Sequence, residues 1–387
     1  MKNHFSAEII GVAELPPRRT TPGETTLEMI ANVARLAMKD AGLIPRDIDG
    51  LVVGPQVGET PQHVPATVAE YLGLQPRYAD IVDLGGATGA GMVWRAAAAI
   101  QSGMCETVLC VLANTRDPAV TPRSPNRNPI REFDVPYGGS GANQAYAMIA
   151  QQHMARFGTT PEQLACVPVK QRANAMLNKA AVFHGQPITT TDVLTSPIVM
   201  SPLRLLEVVM PCGGGAAVIL TSARRAKDAP HPSVGLMGAG ERVTHRALSQ
   251  APELTTSPIA SAVADAYAMA GVGASDIDFL SIYDCYSIVV AMTVEDAGFC
   301  AKGEGGAWLE EHDFSIASRL PINPHGGQLA TGQADLAGGM GHIVEAVHQL
   351  RGTAGERQIH SPKRALVTGN GATMSEEVAL VLIGAEQ

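Results

Sequence analysis

Short apolar runs recur along the chain: AEIIGVA (7–13), GLVVG (50–54), TVLCVLA (107–113), AAVILTS (216–222), PSVGLMGAG (232–240) and ALVTGNG (365–371). Runs this short with few polar interruptions predict strands buried on both faces. Helical periodicity separates several of them, as in TTLEMIANVARLAMKDAG (25–42). Strands alternating with helices predict an α/β body.

A repeat sharpens that expectation. Ala41-Gly42, four residues, then Asp47-Ile48-Asp49 recurs as Ala270-Gly271, four residues, then Asp276-Ile277-Asp278. Each copy follows a strand and a helix, and each precedes another strand-like run, GLVVG or FLSIYD. The halves therefore read as two copies of one unit, packed as a pseudo-symmetric pair. The expected division is 1–116 with 213–228 for the first half and 229–387 for the second. Between them, 117–212 has a different composition. It begins RDPAVTPRSPNRNPIREFDVPYGG and continues through helical GANQAYAMIAQQHMARFG and PEQLACVPVKQRANAML. It reads as an insertion lying over the body, where ligand sites are commonly shaped.

Composition narrows the function. The chain is 45% hydrophobic and 17% charged, which places it among globular proteins. A formal net charge of −9 with scattered Lys and Arg excludes a nucleic-acid surface, so an anionic ligand must be held by a local pocket. No apolar stretch approaches the roughly 18 residues of a membrane span, and the N-terminus lacks signal-peptide features. A cytoplasmic protein is expected. Six cysteines show neither CxxC nor paired spacing and read as reduced, buried thiols, with no zinc ligand cluster.

The stretch VDLGGATGAGMVWRAAAAIQSG (82–103) is a strand, a glycine-rich turn and an alanine-rich helix. Such an elbow can present a reactive side chain at a helix N-terminus, yet Gly85 to Gly89 offer no cysteine, serine or lysine. A dinucleotide site would need GxGxxG and an acid ending the next strand. Here the spacing is Gly86-x-x-Gly89-x-Gly91, and Glu106 precedes the next strand. Glycines serving only close strand–helix packing remain an alternative.

Taken together, several blocks resemble the thiolase superfamily, most closely the branch of sterol-carrier-protein-x-type thiolases and lipid-transfer thiolase-like proteins. They are DAGLIPRDIDGLVVG, the elbow, TPEQLACVPVKQRANAMLNKAA, SPLRLLEVVMPCGGGAAVILTS, IYDCYSIVVAMTVEDAGFC, INPHGGQLATGQADLAGG and TGNGATMSEEVALVL. The resemblance spans essentially the whole chain. It implies a duplicated, five-layered α/β/α/β/α body with an inserted loop domain covering a CoA thioester.

The departures from the family pattern carry the functional reading. The family's acyl-accepting cysteine aligns with Gly86. The histidine of the His-Asp-Cys-Phe block becomes Tyr283, in Tyr283-Asp284-Cys285-Tyr286. The histidine of Gly-His-Pro becomes Gln333, and the Cys-x-Gly loop falls near Asn370-Gly371. Without a thiol at position 86 there is no acyl-enzyme and no ping-pong route. Thr88 has no base near it in sequence and is a poor substitute nucleophile. What remains is the helix N-terminus, with free N–H groups around Gly86, Thr88 and Gly371 that can hold a thioester or enolate oxygen.

Tyr283, His325, Gln333 and Asn370 are the polar groups expected around that oxygen. Tyr283 is the candidate acid/base or oxyanion donor, set against a buried tyrosine with a satisfied hydroxyl. His325 is a candidate proton carrier or merely a turn histidine. Gln333 can only donate an amide hydrogen bond. Asp335 can stand in for a lost acid/base or simply bond its own backbone, while Asp284 reads as structural. The set suits retro-aldol cleavage of a β-hydroxyacyl-CoA through an enolate. The resemblance points the same way, because some cysteine-less lipid-transfer thiolase-like proteins act as aldolases on steroid side-chain CoA thioesters. The resemblance therefore also implies a homodimer and a small zinc-ribbon/OB-fold partner, with coenzyme A carried by the substrate and no covalently bound cofactor. The alternatives are a catalytically silent acyl-CoA-binding or scaffold subunit, and an acyltransferase with non-standard residues.

Overall fold

The computed structural model describes residues 6–55, 63–117, 119, 134–139 and 141–385; most of the proline- and arginine-rich start of the insertion lies outside them. The chain runs through β1 (Ala7–Arg18), α1 (Thr26–Asp40), β2 (Gly50–Val53), α2 (Val64–Leu72), β3 (Tyr78–Ile81), α3 (Thr88–Gln101) and β4 (Thr107–Asn114). The insertion supplies α4 (Ala142–Phe157), α5 (Pro161–Ala175), α6 (Thr190–Thr195), β5 (Ile198–Met200) and β6 (Leu203–Arg204). The body resumes with β7 (Gly213–Ser222), α7 (Ala223–Ala226), β8 (Val234–Val243), α8 (Ile259–Ala270), β9 (Phe279–Ser281) and α9 (Ser287–Asp296). It closes with α10 (Gly305–Glu311), α11 (Gly327–Thr331), α12 (Leu336–Arg351), β10 (Arg364–Gly371) and β11 (Glu376–Gly384).

The strand order β3-β2-β4-β7-β1 is followed by β8-β11-β10-β9. The two groups meet only at Glu8↔Gly235 and Ile9↔Val234, so they form two sheets that share one corner. Their topologies match. In the first, β2 is parallel to β3 and β4, and β7 is antiparallel to β4 and β1. In the second, β9 is parallel to β10 and to a bridge at Ile322, and β11 is antiparallel to β10 and β8.

The repeated Asp-Ile-Asp has the same task in each half. Asp47 accepts from the Ile44 N–H and Asp276 from the Gly273 N–H, each at 2.9 Å. Asp49 accepts from the N–H groups of Glu106 and Thr107, and Asp278 from those of Lys363 and Arg364. Each carboxylate thus anchors the start of the strand that pairs with its own. Asp49→Ala and Asp278→Ala are each expected to lower stability by about 1–3 kcal/mol by stranding those donors. Urea unfolding checks this, and an unchanged midpoint in either variant would refute the anchoring.

Period-two alternation explains the unbroken apolar runs. In β7, Ala216, Val218 and Leu220 face one core, while Ala217 and Ile219 face another. In β11, Val378, Leu380 and Leu382 join the first core, while Ala379 and Val381 face a third. The shared core holds α3 and α12, with α1 and α2 outside the first sheet and α8 and α9 outside the second. That arrangement is the five-layered α/β/α/β/α body of the thiolase fold. Helices between two sheets have no exposed face, which accounts for the alanine and glycine content of α3 and α12. The insertion helices α4 and α5 pack on the outer layer of the second half.

Sequence expectation and structure differ at two strands. The strand leading into the elbow, expected from Val82, is instead β3 (Tyr78–Ile81), whose residues alternate between half-buried and exposed at a sheet edge and so carry no apolar run, while 82–84 are not strand. β1 continues beyond residue 13 through two prolines, as an antiparallel partner of β7 with a register shift. Among the described residues, no helix is long and apolar enough to cross a membrane.

Candidate active site

The elbow lies where α3 begins. A single 3-10 turn, Gly85–Ala87, leads into α3, and Gly85 is left-handed at φ 51°. Thr88 closes this turn: its hydroxyl accepts the Leu84 N–H at 3.0 Å and is fully buried. That hydroxyl is committed to the backbone, so the site gains from Thr88 a fixed turn. Neighbouring backbone approaches very closely. A Cβ at Gly339 would strike the Gly86 carbonyl, and one at Gly371 the Leu84 carbonyl. Glycines on α12 and β10 therefore let both elements seat against the elbow.

Gly86 has no room for a side chain. A Cβ there would fall on the hydroxyl and ring of Tyr283 and on the Asn370 carbonyl. The phenol of Tyr283 thus occupies the space where residue 86 would project a thiol. Gln333 fixes it, donating from Nε2 to Tyr283 Oη at 2.7 Å. Because Oη accepts this bond, its own hydrogen remains to be donated. Tyr283 is 3% exposed, and burial, with Cys285 and Asp335 nearby, pushes its phenol well above the usual value. It is a neutral donor near pH 7.

The other expected residues fall in different shells. Asn370 contributes its backbone carbonyl beside Gly86, but its side chain turns away. There Oδ1 accepts the Met374 N–H at 3.0 Å and Nδ2 donates to Tyr146 Oη at 3.2 Å. His325 lies deeper: its ring meets His342 edge-on at 5.1 Å, and Nδ1 has no partner among the described residues. Burial and His342 hold its imidazole neutral, well below its ordinary value. Asp284 is buried and accepts from the Gln328 and Leu329 N–H groups at the start of α11. Asp335 precedes α12 in a strained conformation, φ 46° and ψ −125°, and its carboxylate makes no cap bond but accepts from the adjacent Leu336 backbone, the local bonding that the sequence set against an acid/base role. Burial raises its carboxyl above the usual range.

Two residues went unnoticed in the sequence. His342 is fully buried on α12, bonded to Asp284 Oδ1 at 3.1 Å, with its ring 6.1 Å from that of Tyr283. The available signal was its place three residues after Gly339, on the face of α12 that meets the elbow. Tyr146 on α4 stacks on Tyr286 at 4.1 Å and holds Asn370, joining the insertion to the elbow. The thiols offer no substitute nucleophile: burial pushes all six above their ordinary value, Cys105 and Cys166 to about 11. A cavity of about 690 Å³ opens between α4 and residues 248–254. Gln144, Met148, Leu248 and Thr373 line it.

A duplicated five-layer body with a glycine elbow under an inserted helical segment defines a thiolase-fold protein without its thiol. The family model described as thiolase C-terminal domain-like matches residues 240–384. The chain is 33% identical to a steroid side-chain-cleaving aldolase of Thermomonospora curvata, over 86% of this chain and 87% of that one. It is 31% identical to an acetyl-CoA acetyltransferase of Methanothermobacter thermautotrophicus, over 89% and 91%. A solved structure of an Ltp2-ChsH2(DUF35) aldolase matches with a TM-score of 0.90 and 29% identity, covering 100% of both chains. The chain belongs to the thiolase superfamily, in its sterol-carrier and lipid-transfer branch, with glycine in place of the nucleophilic cysteine.

Proposed function

We propose that the chain cleaves the Cα–Cβ bond of a β-hydroxyacyl-CoA by a retro-aldol reaction without an acyl-enzyme. The observation that carries this is the Tyr283 phenol standing where the thiol of residue 86 would be. A base takes the β-hydroxyl proton, and the carbonyl forms as the Cα–Cβ bond breaks. Its electron pair passes into the thioester as an enolate. Protonation at Cα completes a shortened acyl-CoA, so one proton leaves and one arrives, and no oxidant or further reactant is needed. The Tyr283 hydroxyl and the Gly86 N–H suit the enolate oxygen, because donors fixed in a dry site need no reorganisation; the Ala87 and Thr88 N–H groups, expected from the sequence to be free, are taken by the Leu84 and Gly85 carbonyls. Asp335, near enough to Tyr283 for the phenol to feel its charge, is the base we assign. The cavity beside α4 suits the pantetheine arm of CoA.

The relatives support the same reading, since one is a steroid side-chain-cleaving aldolase. By analogy with the Ltp2-ChsH2(DUF35) aldolase, we propose that this chain works with a DUF35-type partner; that the partner is a small zinc-ribbon/OB-fold protein and that the chain forms a homodimer are proposed from the thiolase resemblance alone. The test is to incubate a β-hydroxyacyl-CoA with the protein, with and without such a partner, and follow carbonyl release. Release of ketone or aldehyde with stoichiometric shortened acyl-CoA is the expected result. Tight binding without turnover would instead mark a silent subunit. An acyl adduct on any cysteine by intact mass would overturn the non-covalent route.

A further inference from the structure

Beside the turn that leads to Gln333, three arginines gather, and Asp335 is the one carboxylate among the described residues that feels any of their charges, that of Arg116. Arg172 stacks on Phe183 with its guanidinium carbon 3.6 Å from the ring centroid, and Arg19 lies 5.5 Å from the same centroid. Arg116 belongs to the same group, because the Cys212 thiol feels its charge together with that of Arg19; its backbone is tied to Thr21, the N–H donating to Oγ1 and the carbonyl accepting the Thr21 N–H, both at 2.7 Å. Among the described residues, no carboxylate forms an ion pair with any of the three.

Arg172 is the anomalous member. It is 5% exposed; one Nη donates to the Gln186 carbonyl, but Nε has no partner among the described residues. Burial and the charge of Arg19 press its guanidinium down to about 10. A phenyl face and one carbonyl offset part of the cost of burying a cation, yet neither supplies a full negative charge. Two guanidiniums on one ring are an anion short.

The cluster flanks the reaction centre. Phe183 donates its N–H to the Ala330 carbonyl and Val182 to that of Thr331, in the turn leading to Gln333. Cys212, whose thiol feels Arg19 and Arg116, donates its N–H to the Gln333 carbonyl at 2.7 Å. Thr373 lines the cavity, the next residue, Met374, donates its N–H to Asn370, and Asn370 and Tyr283 both meet Gly86, so packed contacts lead from the cavity wall to Gln333 and the arginines. With the arm of the CoA thioester assigned to that cavity, we orient the substrate with its phosphates there and the far end of its acyl group toward the arginines.

We propose that Arg19, Arg116 and Arg172 bind a carboxylate carried on the acyl group, so that the substrates are CoA thioesters of dicarboxylic acids. This rests on the retro-aldol reading for the orientation of the substrate. Guanidinium forks match a carboxylate in two parallel hydrogen bonds, which distinguishes this site from a general basic surface.

The test uses acyl-CoA pairs that bind but lack a β-hydroxyl: butyryl- against succinyl-CoA, valeryl- against glutaryl-CoA, and heptanoyl- against pimeloyl-CoA. Calorimetric titration of the full chain should show at least one carboxylated member binding roughly tenfold or more tightly than its neutral match. Arg172→Gln and the exposed Arg19→Gln should each bring that ratio toward one while free CoA binds as before. Thermal unfolding confirms that Arg172→Gln remains folded, and Arg19→Gln carries the test if it does not. Equal affinities within every pair would overturn the proposal. Parallel loss of CoA or inorganic phosphate binding in the variants would assign the site to a phosphate instead. Failure of the retro-aldol reading would show separately, as no carbonyl release despite a preserved carboxylate preference.

Discussion

Gly86→Cys is expected to give a protein that takes up no acyl group from acyl-CoA and is about 1–3 kcal/mol less stable than the parent. The backbone at Gly86 is not left-handed, so a side chain there is not forbidden by its own dihedrals. The obstacle is packing. The new Cβ would overlap Tyr283 and the Asn370 carbonyl, and Tyr283 is held in place by Gln333 and buried walls. Either the phenol moves and Gln333 loses its acceptor, or the elbow shifts against Gly339 and Gly371, which have no slack. Adding Tyr283→His, the residue type of related thiolases, should relieve the overlap and recover part of the loss. Urea unfolding of the two singles and the double gives the coupling, and intact mass after acyl-CoA treatment gives the chemistry. A fully stable, readily acylated Gly86→Cys single variant would refute the claim that Tyr283 has taken the thiol's place.

Tyr283→Phe should lower the rate of carbonyl release by about 10²–10³-fold, the effect of losing one pre-placed donor to a developing oxyanion. The ring and its packing remain, so acyl-CoA should bind with nearly unchanged affinity, and kcat should carry the loss. The phenol's raised pKa makes a second, independent readout. Burial keeps it protonated well beyond pH 10, so its ionisation should leave no limb across roughly pH 6–9. An acid limb should appear instead from Asp335, whose carboxyl is raised by burial: activity falls as pH drops through a value above that of an ordinary aspartate. Unchanged turnover in Tyr283→Phe would end its assignment as the donor. A limb near neutrality that vanishes in Tyr283→Phe would make the phenol a base instead.

Much of the architecture was legible because burial leaves marks in composition. Strands covered on both faces must be apolar at every position, so TVLCVLA and AAVILTS announce themselves. The Asp-Ile-Asp repeat was visible because each half needs the same anchors for the same strand pairing. Edge strand β3 carries no such mark, since one row of its side chains meets solvent.

The candidate site was legible by subtraction. A glycine at position 86 shows that the chain cannot form a cysteine thioester there, whatever its fold. Tyr283, Gln333, His325 and Asn370 stood out by the blocks they occupy, but their parts could not be read from those blocks. Sequence position says nothing of which way a side chain turns. Only tertiary packing placed the Tyr283 phenol in the space vacated at Gly86, turned the Asn370 amide toward Tyr146, and set His325 behind His342. The same holds for the arginines. Arg19, Arg116 and Arg172 are scattered along the chain, and they become a cationic cluster only where folding brings them together, two of them on the ring of Phe183. The sequence by itself determined the duplicated α/β body and the absence of the thiol, because those depend on residue type and period. The tertiary structure decided which groups face the thioester, because contacts between residues distant in the chain depend on side-chain directions that no local pattern encodes.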